Sequence, residues 1–379
     1  MKVKLGGYIQ EYSVRNKANE DIPVYSVTNT QGFCQDYFGK EVASKDKSTY
    51  KIVPRGYFAY NPSRINVGSV DWQRDEDQVI VSPLYNVFSV SPELNQQYLY
   101  YYLKSDFALH RIKAVATGSV RDNLKLEMLK NFPIRIPSVE EQEYIVQALD
   151  KAKNIIDLRR NELQKFDDLI RARFVEMFGT LHDNKKGFAV VTIEKVCSLI
   201  KDGTHQTPQY TEDKEEGYKF LSSKDVMTQK IDWTDIKYIP AELHEKLYAS
   251  IKPQRNDILM SKNGVNYGVA AVNDTDEVFD IYVSLALLRP KPMIDPVFFR
   301  CVINNHETKR QFDSSIKGIG VPNLHLGEIK KTKIILPPLE LQKEFVSFVA
   351  QVDKSKATVQ KALDETQLLF DSLMQQYFG

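Results

Sequence analysis

The sequence predicts an α+β protein in which two mixed α/β globules alternate with two long helices. Three observations predict it. The chain resembles itself at an offset of 200 residues, an apolar spacing of alternating fours and threes runs through both copies, and short β-rich runs between Gly, Asn and Pro turns fill the remainder. A chain of 379 residues allows two or three domains at ~100–200 residues each.

The repeat sets the boundaries. Residues 124–179 begin LKLEMLKNFPIRIPSVEEQ and end in FG; residues 324–379 begin LHLGEIKKTKIILPPLELQ and end in FG. Pro137, Glu140, Gln142 and Phe178-Gly179 meet their identical counterparts Pro337, Glu340, Gln342 and Phe378-Gly379. Periodicity says more than these identities. The first copy places Ile145, Leu149, Ala152, Ile156, Arg159, Leu163, Phe166, Ile170, Arg173 and Met177 on one stripe. The second places Phe345, Val349, Val352, Lys356, Val359, Leu363, Thr366, Phe370, Leu373 and Tyr377 at the same spacing. That is a coiled-coil seam in two copies. Arg159, Arg173, Lys356 and Thr366 interrupt it and are read as its solvated margin, the other reading being that they set register.

Ser138 and Glu141 form an S-x-x-E capping box at the first helix start, a cap that the second copy lacks. Pro137 and Pro337-Pro338 precede the helices, and Gly179 and Gly379 stand where a helix-terminating glycine belongs. Each helix is then about 40 residues, roughly 60 Å at 1.5 Å per residue. The resulting division is residues 1–136, a globule; 137–179, a central long helix; 180–336, a second globule; and 337–379, a C-terminal long helix.

Inside the globules the repeat survives in patches. KIVPRGYFAYNPSRINVGSV at residues 51–70 aligns with IKPQRNDILMSKNGVNYGVA at 251–270, and TGSVRDNL at 117–124 with KGIGVPNL at 317–324. Strands are expected at residues 79–81, 219–221 and 333–336. One helix is expected over residues 92–113, its YLYYYLK aromatics being core, with a counterpart beginning near Pro296.

Composition excludes several classes. Lys plus Arg is 51 against 50 for Asp plus Glu, which argues against a tail-driven nucleic-acid binder but leaves room for a local basic face. The near-neutral total conceals net charges of +4 and +1 on the two globules and −2 on each helix. MKVKL is followed by no apolar run, and no stretch approaches the ~20 apolar residues of a membrane span. Cys34, Cys197 and Cys301 stand alone, without a CxxC pair. The expectation is a cytoplasmic protein with no membrane partner and no disulfide or zinc framework. No glycine motif follows a strand to hold S-adenosylmethionine, no GxxxxGK[ST] is present, and Asn61-Pro62-Ser63-Arg64 lacks the second proline and the aromatic of an amino-methyltransferase motif. The six histidines show no metal-ligand spacing.

Taken together, IPSVEEQ and LPPLELQ opening long helices, the TGSVRDNL and KGIGVPNL approaches, KDGTHQTPQY at residues 201–210, FLSSKDV at 220–226 and NDILMSKNG at 256–264 resemble the specificity subunit of type I restriction-modification enzymes. The resemblance covers essentially the whole chain. It implies two target-recognition domains separated by two long antiparallel helices that form a coiled-coil spacer, a pseudo-two-fold internal repeat. It implies double-stranded DNA, two methylation subunits and two restriction subunits as partners. It also implies a non-catalytic chain without cofactors, whose partners carry the S-adenosylmethionine, ATP and Mg chemistry. An asymmetric bipartite target follows, because the two domains differ in sequence; half-sites ~34–36 Å apart would lie one helical turn from each other. The first globule departs from the pattern, having no DGTH string.

The residues picked as DNA contacts lie in polar, turn-rich segments: Tyr60, Asn61, Ser63, Arg64, Asn66 and Arg121 in the first globule, and Lys201, Thr204, His205, Gln206, Ser223, Lys224, Lys262, Asn263 and Lys317 in the second. Arg and Lys pair with guanine, Asn and Gln with adenine, and lysines also hold phosphates. Two other readings are a specificity module of a methylation-only or related defence system, and a coiled-coil scaffold that reads no DNA.

Overall fold

A computed structural model describes residues 2–35, 46–116, 123–316 and 321–379. The chain divides into two compact units, the first made of Met1–Asn161 with Val359–Gly379 and the second of Glu162–Thr358. Each unit therefore contains a globule, part of the long helix Val139–Phe178 and part of the long helix Leu339–Phe378.

In the first unit an antiparallel sheet orders Ile9–Glu11, Asn86–Val90, Phe58–Tyr60 and Val70–Trp72. In the second, the antiparallel sheet Cys197–Asp202, Leu285–Pro290, Ile258–Ser261, Ala270–Val272 repeats that order. The units part company beside these sheets. Lys51–Pro54 pairs antiparallel with Gln78–Val81 in the first, whereas Tyr218–Leu221 runs parallel to Phe279–Ile281 in the second. Of these strands Gln78–Val81, Tyr218–Leu221 and Phe279–Ile281 fall where sequence similarity fades, whereas Lys51–Pro54 opens the repeated segment 51–70.

The single helix expected over residues 92–113 is two helices, Gln96–Lys104 and Asp106–Val115. Ser105 separates them in extended conformation, and its hydroxyl accepts from the Ala108 amide, a cap that starts a new helix. The counterparts Pro296–Ile303 and His306–Ser315 break in the same place. Tyr98, Tyr101 and Tyr102 are buried core.

The capping box at Ser138 forms only in half. Its hydroxyl accepts from the Glu141 amide at 3.3 Å, but the Glu141 carboxylate turns to Arg135 at 2.6 Å. Gly179 ends the first long helix at φ 74°, its amide reaching the Val175 carbonyl at 2.7 Å. Along the stripe, Ile145, Leu149, Ala152, Ile156, Phe345, Val349, Val352, Val359 and Leu363 are buried, and Leu163, Phe166, Ile170, Phe370 and Leu373 half-buried. The two helices run antiparallel where they meet in the second unit, Arg173 opposite Glu344 at 3.3 Å and Asp167 opposite Lys356 at 2.6 Å. Two of the four interrupting residues are thus interhelical ion pairs rather than mere margin.

The glutamines shared by SVEEQ and PLELQ tie each long helix to its own globule. Gln142 is wholly buried, accepts from the Asn95 amide at 2.8 Å and donates to the carbonyls of Glu93 and Pro137. Gln342 does the same with Asp295, Met293 and Pro337. Gln142→Leu leaves three backbone groups without partners in a site closed to water. We expect it to cost about 3 kcal/mol in urea unfolding, and Gln342→Leu a similar amount.

Candidate nucleic-acid interface

In the first unit the chain leaves Phe58–Tyr60 through a turn at residues 61–64. The Asn61 side chain accepts from the Ser63 amide at 3.1 Å, which fixes the turn. The Ser63 hydroxyl donates to Asn123 at 2.9 Å, and the Leu124 amide to the Pro62 carbonyl at 3.1 Å. The NPSR loop is thereby fastened to the approach to the long helix. Arg64 is exposed, forms no ion pair among the described residues, and its carbonyl closes the following turn by accepting from Val67 and Ser69. Asn66 is half-buried in that turn, and Gly68 reverses the chain at φ 89°.

Tyr60 is a correction. It is 0% exposed, and its hydroxyl donates to the Leu124 carbonyl at 3.0 Å. Burial raises its phenol far above the ordinary value. Its strand has neighbours on both edges, so the side chain belongs to the core and cannot touch DNA. Arg121 lies outside the described residues.

The second unit repeats the fastening with different side chains. Lys262 offers its carbonyl to the Leu324 amide at 2.7 Å, the Gly264 amide reaches Pro322 at 3.0 Å, and Asn263 bridges to Asn323. Asn263 is half-buried, and its Oδ1 has no partner among the described residues. Lys317 lies outside them.

The DGTH string continues the edge strand Cys197–Asp202. A Cβ on Gly203 would sit 2.0 Å from the Ile281 carbonyl, so only glycine allows this approach. The approach lets the Thr204 amide donate to Ile281 at 3.1 Å and the Val283 amide to Thr204 at 3.0 Å. The Thr204 hydroxyl accepts from the Gln206 amide at 3.2 Å. His205 and Gln206 are left exposed, and exposed Lys201 donates to the Ser250 carbonyl at 3.3 Å.

Asp202 joins this string to the 261–264 loop. Its Oδ2 lies 2.8 Å from Lys262 Nζ and 3.3 Å from His205 Nε2. Burial pushes the Asp202 carboxyl up, but the hydrogen bond and charge of Lys262, helped by His205, outweigh it and hold the carboxyl below its usual value. Lys262 is only 4% exposed, so its ammonium is a buttress and not the phosphate contact expected of it. Ser284 extends the cluster: its carbonyl accepts from the Lys262 amide at 2.9 Å and its hydroxyl from the Ser223 amide at 3.0 Å. Lys224 is drawn aside by Asp235 at 2.8 Å. The structure therefore gathers residues 202–206, Ser223, Lys262 and Asn263. Asp202 and Ser284 were not picked from sequence, although Asp202 stands in the DGTH string. Among the described residues no group of His, Cys, Asp or Glu could hold a metal ion, and no helix is long and apolar enough to cross a membrane.

The model of the type I restriction modification DNA specificity domain matches this chain twice, over residues 2–166 and 185–366. The chain belongs to the type I restriction-modification specificity family. Relatives in that family include the MjaVIII specificity subunit of Methanocaldococcus jannaschii, 22% identical over 71% of this chain and 68% of that one. The EcoBI specificity subunit of Escherichia coli is 21% identical over 89% and 78%. The specificity-family fold recurs in a chain solved in work on complex assembly and conformational transition of the type I R-M system, with TM-score 0.54 and 19% identity over 100% of this chain and 97% of that one. The S subunit from M. genitalium gives TM-score 0.52 and 15% identity over 100% and 96%.

Proposed function

We propose that each globule reads one half of an asymmetric, bipartite double-stranded DNA target, and that the two long helices set the spacing and dock two methylation subunits. The observation that carries this reading is the fastened loop built twice with different side chains. Pro62 and Lys262 carbonyls hold the Leu124 and Leu324 amides in the same way, yet NPSR stands in one loop and SKNG in the other. A shared frame presenting different polar groups suits two half-sites of different sequence. The exposed groups Arg64, His205 and Gln206 are the base readers in this proposal. Two restriction subunits would complete the assembly, with S-adenosylmethionine, ATP and Mg used by the partners. Net charges of only +4 and +1 on the globules leave much of the phosphate contact to those partners.

Methylated adenines mapped on genomic DNA from cells holding the chain and its methylation subunits should form two short, different half-sites at one fixed spacing. A single uninterrupted site, or the same sites without this chain, would refute the proposal. Arg64→Ala should weaken or relax the first half-site alone, by about 1–3 kcal/mol, and Gln206→Ala the second alone.

A further inference from the structure

The second unit contains a cavity of about 230 Å³ against the two long helices, lined by Ile170, Arg300, Cys301, Asp353 and Lys356 among others. At the corresponding place in the first unit rings narrow the space to a cavity of about 100 Å³ beside Lys104, Ser105 and Phe370. There Tyr101 meets Phe370 edge-on at 6.2 Å, and the Tyr101 hydroxyl donates to Asp150 at 2.5 Å. The repeat replaces Tyr101 by Cys301, Phe370 by Ile170 and Asp150 by Ala350. Two aromatic rings are thus exchanged for the smaller side chains of Cys301 and Ile170, both of which line the cavity.

The cavity wall holds a guanidinium that forms no ion pair among the described residues. Arg300 is 9% exposed; among the described residues its Nε has no hydrogen-bond partner, and its one hydrogen bond is Nη2 to the Cys301 sulfur at 3.7 Å. Asp167 is engaged by Lys356 at 2.6 Å. Burial disfavours the Arg300 charge, but the Cys301 sulfur and, through space, Asp353 and Asp167 outweigh it; neither carboxylate forms an ion pair with the guanidinium. Arg171 is paired with Asp168 at 3.1 Å, which leaves Lys230, Arg300 and Lys356 of the lining against Asp167 and Asp353, an excess of one positive charge. A buried cation without a hydrogen-bonded counter-charge is costly, and a planar fork of free N–H donors is the group that carboxylates and phosphates fit.

We propose that this cavity binds a small oxyanion, a phosphate or carboxylate group seated on the Arg300 guanidinium. The first unit carries Tyr100 and Tyr101 in place of Arg300 and Cys301, so the guanidinium that seats the anion is missing from its corresponding position.

The test uses the full chain. Inorganic phosphate and acetate are titrated separately at constant ionic strength against chloride, with binding followed by calorimetry and by thermal unfolding. Saturable binding of either anion is expected, the two titrations telling tetrahedral from planar preference. Arg300→Met should weaken it at least tenfold while leaving anion-free stability unchanged or raised, because a buried charge with no hydrogen-bonded anion is removed. Cys301→Tyr, which restores the first unit's ring, should abolish binding with Arg300 still present. Binding that survives both substitutions, or no saturable binding of either anion, overturns the proposal. So does a loss of anion-free stability in Arg300→Met, since the guanidinium would then be satisfied within the fold. Impaired capture of the methylation subunit by Arg300→Met, with no anion effect, would assign the cavity to a partner's side chain and overturn it equally.

Discussion

Asp202→Ala will lower the stability of the second unit by about 3 kcal/mol, the scale set by removing one partner of a buried ion pair. Lys262 is 4% exposed, and Asp202 at 2.8 Å is the acceptor of its ammonium. Taking the carboxylate away leaves the charge with neither water nor counter-ion. The sign of the pH dependence follows from the depressed Asp202 carboxyl. The stability it contributes is complete above the ordinary aspartate range and is lost as pH falls through the lowered value. Lys262→Met in the Asp202→Ala background should recover most of the loss, because it removes the stranded charge. Trp233, packed on Phe279 at 5.6 Å, reports the second unit, and Trp72 reports the first. In urea the Trp233 transition should move while that of Trp72 stays. An unchanged Trp233 midpoint in Asp202→Ala would show that the pair contributes nothing. The double variant also separates stability from recognition. It folds but leaves His205 without its carboxylate, so the second half-site should weaken while the first is read as before.

This pair marks where sequence stops being readable. Asp202 and Lys262 are sixty residues apart, and no local pattern says that one neutralises the other. Lys262 therefore reads as a surface lysine. Tyr60 misleads for a related reason: beside Asn61-Pro62 it looks like a loop residue, but the strands pairing on either side of Phe58–Tyr60 come from elsewhere in the chain. The long helices were legible because four-three spacing sustained over forty residues is a local property. Gln142 and Gln342 stood out as identities, but three backbone partners around one side chain are visible only in three dimensions. The break at Ser105 was legible in principle, since Ser followed by Asp is a helix-start signal; the aromatic run YLYYYLK ends just before it, at residue 104. Gly203 stood in a quoted motif, and its necessity rests on the approach of the Ile281 carbonyl.

Phe178→Ala should cost about 3–5 kcal/mol, the range for deleting a buried ring, and the loss should fall on the second unit. Phe178 closes the first long helix, yet it is 0% exposed among Phe174 and Phe298 at 5.1 Å, Phe345 at 5.5 Å and Phe188 at 6.2 Å. Phe378, its counterpart 200 residues on, packs in the first unit against Tyr98 at 5.0 Å and Tyr102 at 6.2 Å. Each globule is thus completed by the end of the long helix that does not begin beside it in sequence. The core of Tyr98 and Tyr102 is finished by a residue from the other end of the chain. Phe378→Ala should therefore shift the Trp72 transition, and Phe178→Ala the Trp233 transition, with hydrogen exchange rising first in residues 98–112 and 298–312 respectively. Phe178→Leu keeps most of the volume and should cost less than about 1.5 kcal/mol. If both alanine variants moved both tryptophans equally, the units would unfold as one and the assignment of each ring to its own core would carry no separate energy. If neither moved either, the rings would add nothing to stability. Removal of residues 359–379 should act as the extreme case of Phe378→Ala, exposing the first unit's core while the Trp233 transition persists, because the second unit's share of that helix ends at Thr358.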